Sequence, residues 1–247
     1  MFSYHKLNLD INLFDELSKL QQFEIITTGR MGTNIIQPIL SDSKLNIPIV
    51  RTTSIYQQPA SLFTSTHHMI IDKIKGINNN VIFNNALVEI YNDKYRSMGF
   101  HSDQSLDLHD KSFICIFSCY NTQIMNPSRK LIIKSKITNE INEFILEHNS
   151  IVLFSNEINK NFLHKIIYID GRPNNWLGIT FRYSKTYIHF MNDLPYFSSN
   201  NNQLLLANEE QQKIFYKYRS QENKEINFSY PNIDFTISPS DLMLPFS

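Results

Sequence analysis

Hydrophobic and polar positions change rhythm along the chain. In "DINLFDELSKL", Phe14, Leu17 and Leu20 recur near helical spacing behind Asp10, a residue type that caps helices, so a helix is expected there. "QFEIITT" reads as a strand. Residues 30–65, with Pro38, Pro48 and Pro59, read as extended segments and loops. "STHHMIIDKIKG" reads as a short helix closed by Gly76. His67 and His68 fall on it, but helix neighbours point about 100° apart. They are therefore read as surface or half-buried residues, not as a metal pair.

From 81 to 190 the rhythm shortens to a series of β runs separated by turns. They are "VIFNNALVEIY", "SFICIFSCY", "KLIIKSK", "EFILEH", "SIVLFS", "FLHKIIYI" and "WLGITFRYS". This spacing argues for a sandwich or barrel and against a parallel α/β sheet. A tight turn is expected at His148-Asn149-Ser150. Residues 202–221 look helical and 226–247 extended. The reading is one domain over 1–247, mainly β with flanking helices (α+β). Residues 1–80 form an N-terminal helix and strand region, 81–190 a β core, and 191–247 a C-terminal extension.

Bulk composition narrows the classes. Hydrophobic residues make up 42% and aromatics 13%, a globular balance. Lys+Arg and Asp+Glu both total 23, so no polyanionic partner is demanded by net charge. Six glycines form no phosphate-cradling loop. The N-terminus lacks a signal-peptide pattern and no apolar run has the length of a membrane span, so a soluble intracellular protein without a membrane partner is expected. Cys115 and Cys119 sit four apart on one strand, roughly 13 Å at about 3.3 Å per residue, too far for a disulfide.

Chemistry concentrates in "GFHSDQSLDLHD". His101 and Asp103 lie two apart, so on an extended backbone they project to one side and can converge on one ion. A third ligand must come from elsewhere, and His164, in "NFLHKIIYI", is the best candidate. Two histidines and one carboxylate would leave open positions on iron(II). Asp107, His109 and Asp110 read as ordinary loop residues, Asp107 as a turn or cap former. In "WLGITFRYS", Trp176, Gly178, Thr180 and Arg182 share one face. An inward Arg182 needs an anionic partner: Glu89, Asp103, or the carboxylate of a bound small molecule.

Three stretches together resemble the AlkB-like branch of the Fe(II)- and 2-oxoglutarate-dependent dioxygenases: "FNNALVEIYNDKYRSMGFHSD", "LEHNSIVLFSNEINKNFLHKI" and "WLGITFRYS". The similarity covers about residues 47–185 in matching order. It implies a double-stranded β-helix (jelly-roll) core, Fe(II) on His101, Asp103 and His164, and 2-oxoglutarate as cosubstrate. Tyr91, Thr180 and Arg182 fall on cosubstrate-binding positions, and the N-terminal region on the substrate lid. The activity implied is oxidative demethylation or hydroxylation, with alkylated bases in DNA or RNA as the first substrate expectation and repair as its setting.

Two positions depart from that pattern. Trp176 stands where the family has its first arginine, and Glu89 where it has an asparagine. The loop "YNTQIMNPSRK" also looks longer than usual. Three alternatives follow: action on a protein, action on a small molecule, or a non-catalytic jelly-roll that only binds. Lys94, Arg96, Arg129, Lys130, Lys134 and Lys136 would be the basic rim for a phosphate backbone.

Overall fold

The computed structural model describes residues 2–19, 22–41, 43–122, 127–169 and 174–246. The N-terminal part runs β1 (Ser3–Lys6), α1 (Phe14–Lys19), β2 (Glu24–Thr27), β3 (Arg30–Ile36), β4 (Ile39–Ser41), β5 (Lys44–Pro48), β6 (Ser61–Leu62) and α2 (Ser65–Lys75). The middle runs β7 (Asn85–Tyr91), β8 (Phe113–Tyr120), β9 (Arg129–Ser135), β10 (Ile141–Ile145), β11 (Ser150–Ser155), α3 (Asn156–Asn161), β12 (Phe162–Tyr168) and β13 (Trp176–Arg182). After these come β14 (Tyr187–Met191), β15 (Leu194–Phe197), β16 (Leu205–Leu206), α4 (Glu209–Lys224), β17 (Phe235–Thr236) and a 3-10 turn at Pro239–Leu242.

The main sheet is ordered β1-β11-β8-β13-β7-β3-β2, with β6 beside β3. Facing it, β10-β9-β12 form a three-stranded sheet. Residues 97–101 extend that smaller sheet through bridges of Ser97 to Ile167 and His101 to His164. From β7 to β13 the chain therefore alternates between two antiparallel sheets, the winding of a double-stranded β-helix.

Alternation along each strand explains the two layers. On β8, Cys115, Phe117 and Cys119 point outward, with Leu177, Ile179 and Phe181 of β13, into a cluster covered by α1 and α2. Ile114, Ile116 and Tyr120 point inward, with Tyr91, Val152 and Trp176, toward Leu131, Ile133 and Ile166 of the smaller sheet. Each such apolar side chain taken out of water contributes about 1.5–3 kcal/mol. Both cysteines are free and buried, and burial pushes their thiols up, so they serve as small hydrophobes.

Several expectations are corrected. The first helix starts at Phe14, not beside Asp10, because Asn12 Oδ1 accepts the Phe14 N–H at 3.0 Å; Leu20 lies outside the described residues. His67 is fully buried, not half-exposed: its Nδ1 accepts the Thr64 N–H at 3.0 Å, and burial lowers its pKa to about 4. The C-terminal helix begins at Glu209, where Asn208 and Gln211 cap it reciprocally. Ahead of it, Leu205–Leu206 instead pair in parallel with Phe235–Thr236. In the "YNTQIMNPSRK" loop, residues 123–126 lie outside the described residues. No helix among the described residues is long and apolar enough to cross a membrane.

Candidate metal centre

His101 and His164 face each other across the short bridge that joins residues 97–101 to β12. Each backbone N–H donates to the other's carbonyl, at 3.0 and 2.6 Å, so the register of one strand pair brings the two imidazoles together. Their ring centroids lie 4.5 Å apart. Asp103, two residues on, projects to the same side. The ligand atoms of His101, Asp103 and His164 lie within 4.8 Å of one another, the one such His/Cys/Asp/Glu group among the described residues. Small side-chain rotations close that spread onto one ion, since first-row metals hold N and O donors at about 2.0–2.2 Å.

Each donor is oriented from behind. His101 Nδ1 lies 3.0 Å from the Gly99 carbonyl, which can only accept; the proton therefore sits on Nδ1 and Nε2 offers its lone pair. Asp103 Oδ1 is 3.7 Å from His164 Nε2, while Oδ2 accepts from Arg182 Nε at 2.9 Å. Of the two protein carboxylates expected as partners for Arg182, Asp103 is the one it meets. Asn159 of α3 holds the Asp103 backbone on both sides: its Oδ1 accepts the N–H at 2.7 Å and its Nδ2 donates to the carbonyl at 2.8 Å.

α4 lies against the same segment. Asn223 Oδ1 accepts the Ser102 N–H at 3.1 Å, Arg219 donates to the Ser102 carbonyl, and Glu222 Oε1 accepts from Ser105 N and Oγ at 2.8 and 2.7 Å. These partners were missed in sequence because they come from far along the chain, on helices that carry no metal-site pattern.

The electrostatics match a donor set. Burial lowers the His101 pKa to about 3, helped by His164 and Arg219. Burial likewise lowers that of His164. Burial alone would raise the Asp103 carboxyl, but Arg182 and His164 hold it well below the usual carboxylate range. At neutral pH the site thus presents two neutral imidazoles and one carboxylate, the protonation states a metal requires. The residues fit an iron(II) ion.

The inner face of the main sheet continues from this site. Cross-strand rows place Arg30 beside Tyr91 and Tyr91 beside Trp176; the next row is Gly32, Glu89, Gly178 and Ser118. Glu89 is engaged at both oxygens: Arg30 Nε donates to Oε1 at 2.6 Å and the Tyr91 hydroxyl to Oε2 at 2.7 Å. The Trp176 ring lies over Gly178, and the Tyr56 hydroxyl is 2.8 Å from where a Cβ on Gly32 would sit. Thr180 is half-buried on the same face, between Gly178 and Arg182. Tyr56 OH, Ser118 Oγ and Trp176 Nε1 are buried with no hydrogen-bond partner among the described residues. Unsatisfied donors of this kind cost about 1–3 kcal/mol each, and a ligand bearing several oxygens would relieve them. A 2-oxo acid fits that requirement.

The other loop residues separate. His109 and Asp110 are exposed, with Asp110 paired to Lys160 at 2.8 Å, as expected of a solvated loop. Asp107 is not a turn former at the surface: it is fully buried, and both its oxygens take Arg51, at 2.6 and 3.0 Å. That pair was invisible in sequence because its partner lies in a separate loop 56 residues earlier.

No family model and no curated protein matches the chain. Among solved structures, OsALKBH1 superposes with a TM-score of 0.42 at 13% identity, over 63% of this chain and 78% of its own. A Pseudomonas putida prolyl-4-hydroxylase gives 0.42 and 13%, over 74% of this chain and 92% of its own. At that distance the chemistry rests on the residues themselves.

Proposed function

We propose that the chain is an iron(II)- and 2-oxoglutarate-dependent oxygenase that oxidises a C–H bond of its substrate. The observation that carries this reading is the convergence of His101, Asp103 and His164 at the rim of a double-stranded β-helix, with Arg182 behind the carboxylate. These three residues would hold the iron and leave positions open. When bound, iron(II) and 2-oxoglutarate together supply dioxygen activation, the oxo acid leaving as succinate and carbon dioxide while the substrate carbon is hydroxylated.

The protein's part is orientation and charge. Arg182 keeps Asp103 ionised and fixes which oxygen faces the histidines. The Gly99 carbonyl fixes the His101 tautomer. Asn159 and α4 hold the Ser102–Asp103 backbone, so the donors keep their spacing in the absence of an ion.

A methylated base in DNA or RNA comes to this chain through the resemblance. Three of the six cationic side chains that would form its rim are engaged elsewhere. Arg129 is fully buried on the Tyr95 and Asn92 carbonyls, Lys130 pairs with Glu143, and Lys136 Nζ donates to the Glu222 and Glu225 carbonyls at the end of α4. Peptides and small molecules are therefore tested beside methylated oligonucleotides.

The test is succinate release from iron-loaded protein given 2-oxoglutarate. Formation is expected, with loss of both iron binding and succinate in a His101→Ala, His164→Ala double variant. Folded, iron-loaded protein that yields no succinate with any of these substrate classes overturns the reading.

A further inference from the structure

The resemblance places an arginine at the position of Trp176, where the distal carboxylate of 2-oxoglutarate would be held, and this chain has none there. The main sheet nevertheless carries a cation on the same cross-strand row. Arg30 pairs in register with Tyr91, and Tyr91 with Trp176, so Arg30 stands two strands from the vacant position and on the same face. Two other guanidiniums border this interior and each already has protein partners, the Arg129 Nε alone staying buried without one among the described residues. Arg182 is held by Asp103, and Arg129 donates to the Tyr95 and Asn92 carbonyls.

Arg30 is engaged by Glu89, which stands at the second departure from the family pattern. The two departures thus form one arrangement: a guanidinium and the Tyr91 hydroxyl converge on a carboxylate that belongs to the protein itself. Around that carboxylate the sheet is lined by Gly32, Gly178 and Ser118. Two rings lean over the glycines, and Tyr56 OH, Ser118 Oγ and Trp176 Nε1 are buried there without partners. Leaving three polar atoms unsatisfied on that face costs free energy that a hydrogen-bonding ligand would recover.

We infer that Arg30 is the cation that receives the distal carboxylate of 2-oxoglutarate, and that Glu89 is a built-in competitor occupying that place until the cosubstrate displaces it. This rests on the function proposed above. Glu89 then sets cosubstrate affinity: the donors it takes are those the incoming carboxylate needs, and its like charge opposes entry. The unpartnered indole N–H and hydroxyls supply further hydrogen bonds to the ligand.

The experiment titrates 2-oxoglutarate into wild type, Glu89→Gln and Arg30→Gln/Glu89→Gln. Binding is read from quenching of Trp176, the lone tryptophan, with and without iron(II), and from the visible absorption of an iron-chelated 2-oxo acid under anaerobic conditions. Arg30→Gln alone would strand a buried carboxylate, so the double variant removes both charges together. Glu89→Gln should bind 2-oxoglutarate at least about tenfold more tightly than wild type, and the double variant should lose that gain. Equal affinity in wild type and Glu89→Gln, or a gain retained in the double variant, overturns the assignment. Iron binding is measured separately. Wild type that takes no iron overturns the metal reading instead, while quenching without iron still tests Arg30.

Discussion

Single carboxylates in this molecule behave according to what faces them, and Asp241 shows it outside the metal site. Burial raises its pKa to about 7; the Thr236 hydroxyl, donating at 2.5 Å, pulls the other way, Asp107 adds to the rise, and Arg51 opposes it. In the unfolded chain the same group titrates near 3.8. Between these values the folded state holds the proton more firmly, so this group's contribution to stability falls as pH rises from about 4 to about 7 and is level on either side. Asp241→Asn keeps an acceptor for Thr236 and cannot ionise. The melting temperature of the variant relative to wild type should therefore climb across that window. Parallel pH profiles for the two proteins would contradict the assignment. Asp107, by contrast, is bonded through both oxygens to Arg51, and removing either member of that buried pair would strand the other.

At the scale of elements, the parts legible in sequence were those whose pattern is local. All seven β runs from "VIFNNALVEIY" to "WLGITFRYS" are strands, within a few residues at their ends, because two-residue alternation reports directly which face meets a core. The His101, Asp103 and His164 grouping was also legible, since strand register carries an i, i+2 pair onto a facing histidine. Arg30 was not, because its relevance depends on β3 joining β7 in the main sheet. Nor was the role of α4. Its Glu222 accepts from Ser105 N and Oγ, the Tyr230 hydroxyl and Arg219 NH1, contacts that no helical period announces. Glu222→Gln should cost about 1.5–3 kcal/mol, the worth of hydrogen bonds to a charged group. Amide exchange should speed up across residues 101–105 while β8 stays protected. Unchanged exchange at Ser102 and Ser105 would show that α4 does not support the site.

For the whole molecule, the segment after α4 ties distant parts together. Arg51 NH1 donates to the Ile233 and Phe235 carbonyls at 2.7 and 3.1 Å, Ser238 Oγ accepts the Tyr56 N–H at 2.9 Å, and Phe246 N–H donates to the Ala60 carbonyl at 2.9 Å. Ile233, Phe235 and Ile237 pack with Phe215 of α4 in a cluster of their own, apart from the jelly-roll interior that holds Trp176. If these bonds make the tail part of one cooperative unit, damage to the satellite cluster must be felt at Trp176. Phe235→Ala should cost about 3–5 kcal/mol, a large share of the roughly 5–15 kcal/mol that holds a domain folded. Urea unfolding followed by Trp176 emission and by far-ultraviolet circular dichroism should then shift to lower denaturant together, with one midpoint. A tail that melts alone would give an early loss of helical signal from α4 while the Trp176 midpoint stayed where it is in wild type, and the chain would then consist of two units joined at Arg51.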